Sequence, residues 1–174
     1  MAAEAAITQD YLFDSAYSAL YFAYRYSPQQ YAPTPISRLM RSQIGSGKGL
    51  HGLDAAAQSG IIRAEVEAIG PYEKNAIVAR FATDPAESLG AKIALLVPAT
   101  ASLGTGIHHH RMVDGLVQKY YGRRIYLKEI AEMIGATPNT MTQRWACIRK
   151  CIRDIEYRAM DRAEERLRQA GLIP

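Results

Sequence analysis

Two amide side chains, Asn139 and Gln143, stand four residues apart just after the dipeptide Thr137-Pro138. Residues four apart lie on the same face of an α-helix. An asparagine or glutamine side chain can pair bidentately with the major-groove edge of adenine. We therefore expect Asn139 and Gln143 to read bases from one face of a helix that begins at this dipeptide.

Cationic and hydroxyl side chains surround this amide pair. Lys150 falls on the same predicted helix face, and Thr142 and Arg149 flank it. Such side chains supply most contacts to the phosphates of DNA. The sequence therefore predicts a DNA-binding set made of Arg123, Arg124, Lys128, Thr137, Asn139, Thr140, Thr142, Gln143, Arg149 and Lys150.

A short helix, a turn and a long helix are predicted to position this set. The short helix covers residues 128–134 and ends at Gly135, because glycine adopts the left-handed conformation of a helix end without steric cost. Thr137 is a suitable N-cap, and Pro138 fits the first position of the next helix. That second helix is predicted to continue to about residue 170.

An apolar stripe runs along the second helix at the spacing of a single helix face. Its members are Met141, Trp145, Ile148, Ile152 and Ile155. We expect the stripe to be buried, so that replacing Trp145 by alanine would cost about 3–5 kcal/mol of stability. A helix of this length needs a partner for its apolar side, which the N-terminal helices, a second copy or a larger complex would supply.

The run EIAEMIGATPNTMTQRW, residues 129–145, resembles the helix-turn-helix of the promoter-reading C-terminal domain of sigma factors and of response regulators. The resemblance implies a sharp crossing of two helices that presents the second one to the major groove. Two positions depart from the pattern, since Ala136 replaces a larger apolar residue and Trp145 replaces leucine. The alternative is an ordinary helical hairpin with a Gly-x-Thr-Pro turn.

Positive charge coincides with this region. Residues 119–174 contain 12 Lys/Arg and 7 Asp/Glu, which gives a net charge of +5, and the remainder of the chain has −1 of the total of +4. Phosphate binding requires such a concentration of positive charge. A basic face that is merely solvated is the alternative interpretation.

The rest of the chain is predicted to be helical as well. A tyrosine-rich first helix is expected over residues 8–26, capped by Thr8 or Asp10. Further helices are predicted over 54–69, 72–81, 84–97 and 108–121, with a linker over 99–106. No strand alternation stands out, so the fold class is all-α. We divide the chain into a helical partner-binding domain, residues 1–105, and a helix-turn-helix DNA-binding domain, residues 106–174.

The sequence offers little for catalysis or for a cofactor. The run IGSGKGLHG, residues 44–52, fails the phosphate-binding loop pattern, because Ser42 and Gly49 stand where the pattern requires Gly and Ser/Thr. Cys147 and Cys151 with one of His108, His109 and His110 are weak candidates for a zinc site. We expect no enzyme activity, no cofactor and no metal.

Localisation follows from the cysteine usage and the N-terminus. Two cysteines four residues apart do not indicate a disulfide framework, which fits a reducing cytoplasm. The first ten residues carry acidic side chains where a signal peptide needs positive charge. The longest apolar run, residues 93–107, contains Pro98 and is too short to span a bilayer. A cytoplasmic protein without a membrane partner is therefore predicted.

A tyrosine-rich first helix, the stretch GLDAAAQSGIIRAEVEAIG at residues 52–70 and the helix-turn-helix with its long trailing helix together resemble the Q-type late-gene antitermination factors of phages and prophages. This resemblance implies a protein that binds double-stranded DNA beside a promoter and loads onto RNA polymerase holoenzyme paused there. It would then prevent terminator hairpins from forming at the RNA exit channel. The alternatives are a repressor or activator acting as a homodimer on DNA, and a protein that binds sigma factor or polymerase without reading DNA.

Overall fold

The computed structural model describes residues 11–26, 53–106 and 108–174, and this part of the chain is all-α, as predicted. The helices, in chain order, are α1 Ala16–Arg25, α2 Leu53–Glu67, α3 Pro71–Phe81, α4 Pro85–Ala94, α5 Leu96–Ala101, α6 His110–Tyr120, α7 Leu127–Ile134 and α8 Pro138–Gln169. The run 44–52, the proposed caps Thr8 and Asp10, and residues 27–50 as a whole lie outside the described residues.

The first helix begins later than the sequence predicts. Helix α1 starts at Ala16, and the described residues before it are not helical. Ser15 accounts for this start, because its hydroxyl oxygen accepts a hydrogen bond from the Ser18 backbone N–H at 3.2 Å. The Ser15 N–H in turn donates to the Ser18 hydroxyl, so two otherwise unpaired donors are satisfied at the helix end.

The predicted linker over residues 99–106 is wrong in its first half. Helix α5 continues through Pro98 to Ala101, and Ala99 is fully buried. Pro98 is the third residue of α5, where a backbone N–H has no partner within the helix, so proline costs no hydrogen bond there. The predicted single helix over 84–97 is instead two helices that meet at Leu95.

Helices α2 and α3 bury most of the side chains expected to face inward. On α3, Ala76, Val78 and Ala79 are buried, as predicted. On α2 and just after it, the side chains that helical spacing predicts to face inward are Ala57, Ile61, Ile62, Val66 and Ile69. Ile62 and Val66 are buried and Ile69 is half-buried, whereas Ala57 is exposed and Ile61 is 45% exposed.

Helix α8 packs against six of the other described helices, which are α1, α2, α3, α5, α6 and α7. Its buried side chains are Met141, Ile148, Ile152, Ile155, Ala159, Ala163 and Leu167. The leading half meets α5, α6 and α7, and contacts with α1, α2 and α3 give the helix the partner that its length requires. The described parts of ranges 1–105 and 106–174 therefore share one hydrophobic core, and their division at residue 105 stays a prediction.

Ion pairs join the trailing half of α8 to α2 and α3. Glu73 is 7% exposed and lies 3.1 Å from Arg162 and 3.4 Å from Arg158. Arg166 donates to Glu65 at 2.8 Å. Arg158 thus pairs with Glu73 rather than with Asp154, its neighbour four residues back, so these carboxylates tie the N-terminal helices to α8.

The chain folds back after α8. Gly171 has φ 69°, a left-handed conformation that glycine adopts at low cost, and the Leu172 N–H donates to the Leu167 carbonyl at 3.0 Å. Leu172 and Ile173 are buried as a result. Among the described residues, no helix is both long enough and apolar enough to cross a membrane.

The burial pattern of α8 predicts unequal costs for two large-to-small substitutions. Ile148 is fully buried, so Ile148→Ala is expected to cost about 2–5 kcal/mol of unfolding free energy. Trp145 is only half-buried, so Trp145→Ala should cost less than the 3–5 kcal/mol that full burial implies. Urea denaturation of both variants measures the two costs, and a larger loss for Trp145→Ala would contradict the observed orientation of α8.

Candidate nucleic-acid interface

The turn between α7 and α8 has the geometry that the sequence predicts. Gly135 has φ 66° and ψ 27°, and the Ala136 N–H donates to the Ala131 carbonyl at 2.9 Å. Thr137 caps α8, because its hydroxyl accepts from the Thr140 N–H at 3.3 Å. Pro138 occupies the first turn of α8. These contacts pair backbone groups at the end of α7 and at the start of α8 within three residues, and they fix where α8 begins.

Packing between α7 and α8 decides which side of α8 faces solvent. Ile130 and Ala131 of α7 are buried, as are Met141 and Ile148 of α8. With this side closed, the opposite side of α8 is left at the surface. The structure therefore packs α7 and α8 directly against each other on either side of the turn.

Asn139 and Gln143 both lie on the exposed face of α8. Within the described residues, neither amide group is committed to another side chain. Two unpaired amides one helical turn apart can each offer a donor and an acceptor to a base edge.

The three threonines of the predicted set have internal hydrogen bonds. The Thr137 and Thr140 hydroxyls are 2.9 Å apart, and the Thr142 hydroxyl donates to the Pro138 carbonyl at 3.0 Å. Thr140 is also half-buried. Their first role is therefore to hold the start of α8. A phosphate oxygen accepts hydrogen bonds, so a phosphate contact would use the one hydroxyl hydrogen that does not bridge Thr137 and Thr140, or would replace the bond from Thr142 to the Pro138 carbonyl.

The predicted cations are all exposed. Arg149 and Lys150 lie on α8, and Arg123 and Arg124 lie in the segment before α7. The Arg123 guanidinium donates to the Gln118 side-chain oxygen. Lys128 is 3.8 Å from Glu132, but both side chains are well exposed, so water and salt screen that pair strongly.

One aspect of the sequence interpretation changes in the structure, and it concerns the side of α8 that faces α6. Trp145 is half-buried rather than in the core, and the Lys119 ammonium lies 5.9 Å from its ring centre. Arg144 donates to the Met112 sulfur at 3.1 Å, so it holds α8 against α6.

Sequence analysis missed two side chains near this surface. Arg111 on α6 is exposed and, together with Arg123, lines a cavity of about 200 Å³. Tyr126 is 70% exposed immediately before α7. The excess of positive charge in the sequence was assigned to residues 119–174, so Arg111 was not part of it. Tyr126 carried no signal beyond being aromatic in a polar stretch.

The cysteines and histidines do not form a cluster. Cys147 is exposed, whereas Cys151 is half-buried and donates from its sulfur to the Pro98 carbonyl at 3.5 Å. Burial raises the pKa of the Cys151 thiol, so this group stays protonated at neutral pH. In the part of the chain that the structure describes, no three His, Cys, Asp or Glu side chains are placed to hold a metal ion.

Comparison with known proteins adds no family to these observations. No protein-family model matches the chain, and no curated protein matches it. The interface is therefore defined by its own geometry, which is a capped helix end with two free amides and exposed cations on either side.

The left-handed turn makes a prediction about glycine replacement. Gly135→Ala is expected to cost about 1 kcal/mol of unfolding free energy, because an alanine resists a positive φ. The control is Gly90→Ala, which places a methyl group in open space within α4, where it should stabilise by about 0.5–1 kcal/mol. Denaturant unfolding of both variants checks the signs, and stabilisation by Gly135→Ala would show that the turn has another conformation.

Proposed function

We propose that this protein is a sequence-specific DNA-binding regulator of transcription. The observation that carries the proposal is the exposed leading face of α8, where Asn139 and Gln143 are free of internal partners and Arg149 and Lys150 follow on the same helix. Asn139 and Gln143 would read bases, while the cations and the exposed Thr137 and Thr142 would contact phosphates.

Helix dimensions suit this role. A helix with its side chains is about 10–12 Å across, and the major groove of B-DNA is about 12 Å wide. Because the opposite side of α8 is buried against α6 and α7, the helix would enter the groove without reorganising. A helix whose backbone is already held by packing loses little backbone freedom on binding, which favours affinity.

The more specific proposal is an antitermination factor that acts in the cytoplasm on RNA polymerase holoenzyme. It rests on the resemblance to Q-type factors, and the arrangement of α8 is compatible with it. The DNA-facing half of α8 is continuous with a trailing half that packs on α1, α2 and α3. A single helix would therefore join a DNA-reading end to the surface formed by α1, α2 and α3, which would be able to contact polymerase.

The specific-contact prediction concerns Gln143. Gln143→Ala is expected to weaken binding to a duplex selected by the wild-type protein from a random pool by roughly 1–3 kcal/mol, because one bidentate base contact is lost. Gln169→Ala is the matched control, since Gln169 is exposed at the far end of the same helix. Fluorescence anisotropy measures both affinities.

Three results of that titration distinguish the candidate functions. Binding that weakens steeply with salt, together with a loss specific to Gln143→Ala, supports DNA reading by α8. Equal affinities for the two variants would remove Gln143 from the contact set. If no duplex is selected at all, the protein would be a polymerase- or sigma-binding protein without DNA readout.

A transcription assay tests the antitermination proposal. Purified RNA polymerase holoenzyme would transcribe a template with the promoter downstream of this protein's own gene and an intrinsic terminator, with and without the protein. We expect read-through of the terminator that is lost when the DNA beside the promoter is replaced. A change in initiation with termination untouched would instead indicate a promoter repressor or activator, including one that acts as a dimer.

A further inference from the structure

A groove of about 370 Å³ lies between α1, α3 and α8, on helix surfaces that the proposed DNA contacts do not use. Its volume falls within the range of about 300–1,000 Å³ that is usual for ligand pockets. The aromatic and charged side chains of its lining are Tyr17, Arg80, Phe81, Glu156 and Tyr157.

Two exposed tyrosines line the groove, one from α1 and one from α8. Tyr17 is 58% exposed and Tyr157 is 64% exposed, whereas Phe81 between α1 and α3 is buried. The Tyr17 and Phe81 rings meet edge to face at 5.1 Å. Large aromatic side chains that are left exposed beside an apolar pocket are typical of interaction sites.

Arg80 gives the groove a positive side. The Glu156 carboxylate accepts from Arg80 at 2.9 Å and from the Tyr120 hydroxyl at 2.7 Å, and its side chain is only 13% exposed. Arg80 lines the groove and its side chain is 53% exposed, and several of its N–H donors are unused by Glu156. The negative charge is covered and the positive charge is accessible, which favours an anionic occupant.

The groove continues into an aromatic stripe along α1. Tyr21 stacks on Tyr17 at 6.3 Å and is itself 43% exposed. The Arg25 guanidinium lies 4.1 Å over the Tyr21 ring and donates to its hydroxyl at 2.6 Å. From Tyr17 to Arg25 the stripe is about 12 Å long, and α1 contains no acidic residue.

We propose that this groove and stripe bind a peptide segment of a partner protein, with an aromatic side chain as the anchor and carboxylates on the segment that follows it. The anchor fills the groove between Tyr17 and Tyr157, one carboxylate meets Arg80, and a second reaches Arg25. A pocket joined to a 12 Å stripe with a cation at each end is longer than a small aromatic acid and matches about four extended residues. The proposal does not depend on DNA binding, and either can fail without the other.

Nuclear magnetic resonance titration of the isotope-labelled full chain tests this proposal. The probe is the blocked pentapeptide Trp-Glu-Gly-Gly-Glu, compared with Trp-Gln-Gly-Gly-Gln and with N-acetyltryptophan. We expect shifts confined to α1, residues 76–81 and residues 156–160, with dissociation constants of the order of a millimolar. The acidic peptide should bind roughly two- to fivefold tighter than the neutral one for each exposed ion pair formed.

Two variants locate the contacts. Tyr157→Ala should abolish the shifts from every probe, whereas Tyr72→Ala, which alters an exposed tyrosine outside the groove lining, should leave them unchanged. Arg25→Gln should weaken the binding of the acidic pentapeptide and leave the binding of N-acetyltryptophan unchanged.

The opposite results would overturn the proposal. Absence of shifts at these helices, or equal affinities for the acidic and neutral peptides, would show that the groove does not select this chemistry. If N-acetyltryptophan bound as tightly as the acidic pentapeptide, the site would be one for a small aromatic acid rather than for a peptide.

Discussion

Burial of one apolar stripe along α8 holds the described helices together. The stripe extends from Met141 in the first turn to Leu167 near the last, and along its length α8 contacts six other helices. Because an α-helix with a closed hydrogen-bond ladder bends little, the position of one half dictates the position of the other. The turn at Gly135 and the cap at Thr137 matter because they set where this stripe begins.

Charge is divided along the same helix. In the trailing half, Arg158 and Arg162 pair with Glu73, and Arg166 pairs with Glu65. In the leading half, Arg149 and Lys150 have no carboxylate partner among the described residues. The positive charge that remains available to an external anion is therefore concentrated at the end that carries Asn139 and Gln143. The trailing arginines stabilise the fold, so the excess of positive charge in the sequence overstates what is free to bind phosphate.

Local signals in the sequence predicted the turn, and tertiary contacts decided what the sequence missed. Gly135 tolerates the left-handed conformation, Thr137 caps with its side chain and Pro138 fixes its own φ, so the ends of α7 and α8 could be placed within a residue or two. The start of α1 depended on a reciprocal Ser15–Ser18 cap that competes with equally good caps upstream.

Burial was harder to predict than helix position. Spacing put Trp145 and Ile61 on inward faces, but the width of the buried strip depends on the neighbouring helices, which the sequence does not specify. Helix α5 was missed because proline was read as a break, although in a first turn it costs no hydrogen bond. At the candidate interface, the position of the apolar stripe on α8 predicted that the two amides on the opposite face are exposed. The internal hydrogen bonds of the threonines could not be predicted from the sequence.

Photo-crosslinking to a duplex containing 5-bromouracil, followed by mass spectrometry of the crosslinked peptides, tests the central claim most directly. The duplex would be the one that the wild-type protein selects from a random pool. The account predicts crosslinks in peptides that cover residues 137–150, with additional ones over residues 123–128. Crosslinks confined to α1, α2 and α3, or a complete absence of DNA capture, would contradict the assignment of the leading face of α8 as the DNA-reading surface.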